Sequence, residues 1–104
     1  MPKPQFESEG DVLTEVERKV EKPPLYRVLL HNDDYTTMDF VVFILRTVFR
    51  RTEEEAVRVM LHVHQRGVGV AGVYTREIAE TKASKTIRLA RDHDFPLLCT
   101  IEEE

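Results

Sequence analysis

Leu25-Tyr-Arg-Val-Leu-Leu-His31-Asn-Asp-Asp-Tyr-Thr36 is the stretch on which the organisation of the chain turns. Leu25–Leu30, directly after Pro23 and Pro24, reads as a strand. His31-Asn-Asp-Asp-Tyr35 reads as a turn, because Asn and Asp side chains bond their own backbone and tolerate unusual dihedrals. A helix follows. Thr36 and Asp39 have capping-box spacing, and Phe40, Val41, Ile44, Leu45 and Val48 form an apolar stripe. Val42 and Phe43 join it, so this helix is apolar almost all round. Either several elements cover it or part of it lines a recess.

Working outward, Thr52-Glu-Glu-Glu55 is a second capping box, with three acids in a first turn where the helix dipole favours them. Ala56, Val59, Met60 and Val63 make the stripe of that helix, and Gln65-Arg-Gly67 ends it. Gly67-Val-Gly-Val-Ala-Gly-Val-Tyr74 reads as a glycine-rich strand or tight hairpin. Its spacing fits neither a P-loop nor a dinucleotide turn. Thr75 is placed to cap a third helix with Ala79, Ala83, Ile87 and Ala90 inward and Glu77, Lys82 and Lys85 on other faces. Asp92-His-Asp-Phe-Pro96 is a turn, and Leu97–Ile101 closes as a strand. The order β-α-α-β-α-β predicts an α+β fold, a two-layer sandwich with a three-stranded antiparallel sheet packed against three helices.

Four of the five prolines stand at positions 2, 4, 23 and 24, and residues 1–24 carry six acids and four bases with few large apolar groups. Such a segment buries too little surface to offset its ordering entropy, so 1–24 is expected to be a mobile tail and 25–104 the folded core. Val12, Val16 and Val20 recur every four residues, enough for a nascent amphipathic turn or two. The whole chain has 104 residues, 41% hydrophobic and 33% charged, which is ordinary for one soluble domain. Nineteen acids against fifteen Lys and Arg give a net charge of -4. A surface built to neutralise phosphates or anionic lipid needs the opposite balance, so neither nucleic acid nor membrane is expected as a partner. The apolar runs Phe40–Leu45 and Gly67–Tyr74 are too short for a membrane span. Met1-Pro-Lys-Pro-Gln-Phe6 lacks a signal core, so the expected location is cytoplasmic. The single cysteine, Cys99, agrees with that and lies in the apolar run Pro96-Leu-Leu-Cys, as a buried structural thiol would.

The cluster His31-Asn32-Asp33-Asp34 with Thr36 and Met38 carries the most chemistry. If the helix bearing Met60, Val63 and His64 packs behind the turn, carboxylate, amide and imidazole converge at the rim of an apolar recess. Asp33, Asn32 and a neutral His64 nitrogen can accept hydrogens from an ammonium. Methionines mould to differently shaped apolar groups. A free protein amino terminus with a large apolar first residue combines those features. The rival use is a metal, with His31, Asp33, Asp34, His62 and His64 as donors. Residues two apart on a helix diverge, however, and neither HExxH nor an EF-hand spacing exists. Hydrolytic chemistry has little footing: Ser8 and Ser84 lack a nucleophile elbow, Cys99 and His64 have no supporting spacing, and Asp33 and Asp34 are adjacent in a turn.

These blocks together resemble the ClpS family, adaptors of bacterial Clp proteases. The likeness covers 25–104 and rests on His31-Asn-Asp-Asp-Tyr-Thr36 with Met38 and Phe40-Val41, Met60-Leu with Val63-His64, Gly72-Val-Tyr-Thr75 with Glu77, Ala79-Glu-Thr-Lys82, and Pro96-Leu-Leu-Cys-Thr100. The resemblance implies an adaptor that is not an enzyme and uses no cofactor. It binds N-degrons and delivers them to the ClpA unfoldase of ClpAP. It implies that Asn32, Asp33 and His64 hold the α-amino group. Leu30, Asp34, Thr36, Met38, Val41, Met60, Val63 and Leu97 are then the pocket for a first residue Leu, Phe, Tyr or Trp. Met38 matches the position that rejects β-branched residues. Glu77, Thr81 and Lys82 match the surface that meets the N-terminal domain of the unfoldase, and the tail takes part in substrate handover. The family pattern usually has proline where this chain has Thr37. The stretch Arg66–Ala71 is also richer in glycine. The expected consequence is a freer pocket mouth, with selectivity narrowed toward aromatic first residues.

Overall fold

The computed structural model describes residues 22–104. The expected tail 1–24 therefore lies outside the described residues except for Lys22–Pro24. Six elements follow in the anticipated order: β1 Leu25–His31, α1 Met38–Thr47, α2 Glu53–Arg66, β2 Val68–Thr75, α3 Arg76–Asp92 and β3 Leu98–Glu103. The glycine-rich run is one strand rather than a hairpin. β1 is central, with β2 and β3 antiparallel on its two sides.

Alternation along the strands decides which side of the sheet is covered. Val28 and Leu30 on β1, Ala71 on β2 and Cys99 on β3 are buried against Ile44 and Leu45 of α1, Ala56 and Met60 of α2, and Ala79, Ala83 and Ala90 of α3. The small side chains of α3 let that helix lie close across all three strands. Each enclosed leucine or isoleucine contributes about 1.5–3 kcal/mol. The outward set, including Leu25, Val68, Val73 and Leu98, stays exposed. The register slips between Val28 and Leu29, which pair with Gly72 and Val70, so Ala71 is an extra residue in a bulge. Arg51 fills the need that the bulge creates: its Nε donates to the Ala71 carbonyl at 2.9 Å.

Two local expectations are corrected. The cap of α1 is Thr37, whose hydroxyl accepts from the Phe40 amide at 3.1 Å, so the Thr36–Asp39 box does not form. Thr36 is instead drawn to Asp33, which offers a carboxylate. On α3 Thr86 is fully buried beside Ala79, Ala83 and Ala90, and half-buried Ile87 packs against the same core. Thr75 occupies the N-cap position of α3 without a side-chain cap bond. The Thr52–Glu55 box forms in both directions, and Gly67 ends α2 at φ 91°, where a side chain is strained. No helix of the described residues is long and apolar enough to cross a membrane.

Candidate functional site

The site forms where β1 runs out and the turn carries the chain to α1. The Asn32 amide donates to the Gly67 carbonyl at 2.8 Å, which ties the start of the turn to the end of α2. Asp33 then organises the turn. Its Oδ1 accepts from the Tyr35 amide at 2.8 Å and the Thr36 amide at 2.7 Å, and its Oδ2 accepts from the Thr36 hydroxyl at 2.7 Å. Partial burial opposes the charge, but the Thr36 and Tyr35 bonds and the Arg91 charge outweigh it. The carboxyl is thereby held below its ordinary pKa. A carboxylate has about four lone-pair sites. With three used inside the turn, Oδ2 retains acceptor capacity.

Between this turn, α1 and α2 lies a recess of about 240 Å³. Asn32, Asp33, Asp34 and Thr36 stand on the turn side. Met38 and Val41 of α1 with Met60, Val63 and His64 of α2 complete it. Met38 is 43% exposed while Met60 and Val63 are buried, so the apolar wall runs from solvent into the core. No Lys or Arg lines the recess, and two carboxylates do. Gly69 lets β2 press against the back of this wall: a Cβ there would lie 2.7 Å from Val63 Cγ2. The arrangement suits a cation joined to an apolar body, with the charge at the rim and the body between the methionines.

The structure thus brings together Asn32, Asp33, His64, Asp34, Thr36, Met38, Val41, Met60 and Val63. It leaves out Leu30 and Leu97. Both are fully buried members of the core and do not line the recess, because alternation turns Leu30 inward and Leu97 is enclosed just before β3. Glu77 and Thr81 are exposed on α3, apart from the recess. Lys82 differs from a free surface charge. Its Nζ donates to the Val48 carbonyl at 2.7 Å and stands 5.3 Å and 5.9 Å from the ring centres of Tyr74 and Phe49. Among the described residues no three His, Cys, Asp or Glu side chains are grouped as a metal site would require. Sequence reading missed the supporting residues: Thr37 as the cap, Gly69 behind Val63, and Arg91 near Asp33. Only the adjacent pair Thr36-Thr37 hinted at the first of these.

Residues 21–100 match the family model described as ATP-dependent Clp protease adaptor protein ClpS. The chain belongs to the ClpS family. The ClpS adapter of Hyphomonas neptunium is 60% identical over 94 residues, covering 90% of this chain and 80% of that protein. The ClpS adapter of Caulobacter vibrioides is 58% identical over 95 residues, covering 91% and 87%. Among solved structures, Agrobacterium tumefaciens ClpS2 bound to L-phenylalaninamide superposes with a TM-score of 0.77 at 46% identity, covering 80% of this chain and all of that one. The β-α-α-β-α-β order is therefore the ClpS fold, and the protein is a ClpS adaptor of a Clp protease.

Proposed function

We propose that this ClpS protein binds proteins whose free N-terminal residue is Leu, Phe, Tyr or Trp and delivers them to a ClpA-type unfoldase. The observation that carries the reading is the pairing of an ionised, hydrogen-bonded Asp33 with a recess whose wall includes Met38, Val41, Met60 and Val63. The ligand of the Agrobacterium relative, L-phenylalaninamide, is chemically a free amino group beside a benzyl side chain, the two features that the recess matches. In this reading Asn32, Asp33 and His64 accept the ammonium hydrogens, and Met38, Val41, Met60 and Val63 surround the first side chain. Leu30 and Leu97 support the site from the core. The exposed pair Glu77 and Thr81 meets the unfoldase in the cytoplasm, with Lys82 shaping the corner beside them. The adaptor performs no covalent step and needs no cofactor.

The test is fluorescence anisotropy with peptides that differ only in residue one (Leu, Phe, Tyr, Trp, Ile, Val, Arg), each with a free or acetylated amino end. Binding confined to free-amine peptides with large unbranched apolar first residues is expected. Equal binding of acetylated peptides would overturn the reading. The Leu-to-aromatic ratio measures how far Thr37 narrows selectivity.

A further inference from the structure

Met38, Val42 and Arg46 stand in one i, i+4 row along α1, and Glu53, Val57 and Leu61 stand in another along α2. Two ties set these rows side by side. At one end Arg46 Nη1 donates to Glu53 Oε1 at 3.3 Å. At the other, Met38 lines the recess together with Met60 and His64 of α2. The seam between the ties is apolar and open. Met38, Val57 and Leu61 are 36–43% exposed, and Val42 is half-buried. An exposed apolar strip of this kind marks a contact surface, and this one begins at the mouth of the recess.

Charge changes sign along the strip. Asp33 and Asp34 stand at the recess end, where no Lys or Arg lines the cavity. Beyond Val42 a second cavity, of about 540 Å³, carries Arg46, Arg50 and Arg51 against a single carboxylate, Asp39, beside half-exposed Phe43. Arg46 shares its charge with Glu53 in an exposed pair, which holds weakly. Arg51 is pinned through Nε to the Ala71 carbonyl, which leaves the Nη edge of its fork for another acceptor. Glu55 is within Coulombic reach of Arg51, but its carboxylate is committed to the Thr52 amide at 3.0 Å. Arg50 forms no ion pair among the described residues.

We propose that, with the first residue of a captured chain seated in the recess as argued above, the seam between α1 and α2 reads the third and fifth residues. It takes an apolar side chain at the third and a carboxylate at the fifth. Met38 and Arg46 lie about 12 Å apart along α1 at 1.5 Å per residue. An extended chain covers that distance in about four residues, and its alternate side chains share a face. Residues one, three and five therefore turn toward the protein together. Residue three lies over Val42, Val57 and Leu61, residue five reaches Arg46 and Arg50, and residues two and four face solvent. The seam thus sorts among proteins that share a first residue, which the recess by itself does not.

Fluorescence anisotropy on the full chain tests it, with free-amine peptides that all begin with Phe and carry Leu or Ser at position three and Glu or Lys at position five. Leu at three is expected to bind about fivefold tighter than Ser, the effect of partly burying one apolar side chain. Glu at five should bind about three- to fivefold tighter than Lys, and about 0.5 M salt should erase that preference alone. Leu61→Ser should abolish the preference at three. Arg46→Gln combined with Arg50→Asn, which suits the left-handed φ of 57° at residue 50, should abolish the one at five. Equal binding of all these Phe-first peptides would overturn the seam subsite and leave the reading of the recess intact. Binding by none of them would overturn both. Preferences that persist unchanged in the variants would overturn the seam subsite too, as would sedimentation that rises with protein concentration and is reversed by Leu61→Ser, which would assign the strip to a second copy of the chain.

Discussion

The Thr36 amide and hydroxyl grip different oxygens of the Asp33 carboxylate, each at 2.7 Å. The group that anchors the turn also lines the recess. Asp33→Asn keeps an acceptor for the amides but presents an NH2 to the Thr36 hydroxyl. A loss of about 1–2 kcal/mol at pH 7 is expected in urea unfolding, around the lower end of what charged hydrogen bonds contribute, because the turn is partly exposed. Because the native carboxyl is held below its ordinary 3.8, its stabilisation is present above pH 3.8 and is lost as pH falls through the lower native value. The parent and variant should therefore converge only in acid. Peptide affinity should fall more than tenfold, and an unchanged affinity would remove Asp33 from the ammonium site.

Thr37→Pro tests what the departure at the recess mouth does. The φ of Thr37 is -74°, which a proline ring accepts. Loss of the cap bond to Phe40 costs about 1 kcal/mol, and the stiffer unfolded chain returns about 0.4–1 kcal/mol. Thermal stability should stay nearly level while the ratio of Leu to Phe peptide affinity moves.

Much of this fold was legible, for reasons visible in single residues. Thr52 and Glu55 form a local box that needs nothing from the rest of the chain, and Gly67 marks a left-handed position that only its own backbone decides. Reading stopped where distant partners compete. Thr36 and Asp39 have the local spacing of a capping box, yet Asp33 offers Thr36 the better acceptor. Family likeness places Leu30 and Leu97 in the pocket, whereas alternation along β1 and close packing before β3 put both in the core, away from the recess lining. Lys82 showed no pattern at all for its bond to Val48, 34 residues away.

Gly69→Ala should act on the recess from behind. A methyl 2.7 Å from Val63 Cγ2 cannot be accommodated without moving Val63. Overpacking of this kind costs about 1–3 kcal/mol. The narrowed recess should lose affinity for Trp-first peptides more than for Leu-first ones in the same anisotropy assay.

Lys82→Met removes the donor to the Val48 carbonyl and the cation above Tyr74 and Phe49. A stability loss of about 1–2 kcal/mol is expected from a charged bond that is partly exposed plus a modest cation–π term. Thr81→Ala should stay within about 0.5 kcal/mol. Calorimetric unfolding separates the two, and equal effects would deny Lys82 its bracing role.

Burial pushes the Cys99 thiol up to about 12, against the smaller opposing effect of the Thr86 hydroxyl. It should resist alkylation at pH 8 in the native protein and react fully in denaturant. The unfolded thiol ionises near 9.0, so this contribution to stability is intact below pH 9 and declines as pH rises toward 12. The slope attributable to this thiol approaches about 1.4 kcal/mol per pH unit. Cys99→Ala should flatten that part of the curve.

Because the chain enters the domain through β1, the strand bonded on both sides, a pull on the residues ahead of Leu25 does not peel an edge. The load runs along the strand axis and must shear two antiparallel ladders together, with the Asn32 tether to Gly67 at the far end. Tension applied from that end thus meets shear before any strand can peel, and the recess sits beyond the point where that tension is borne.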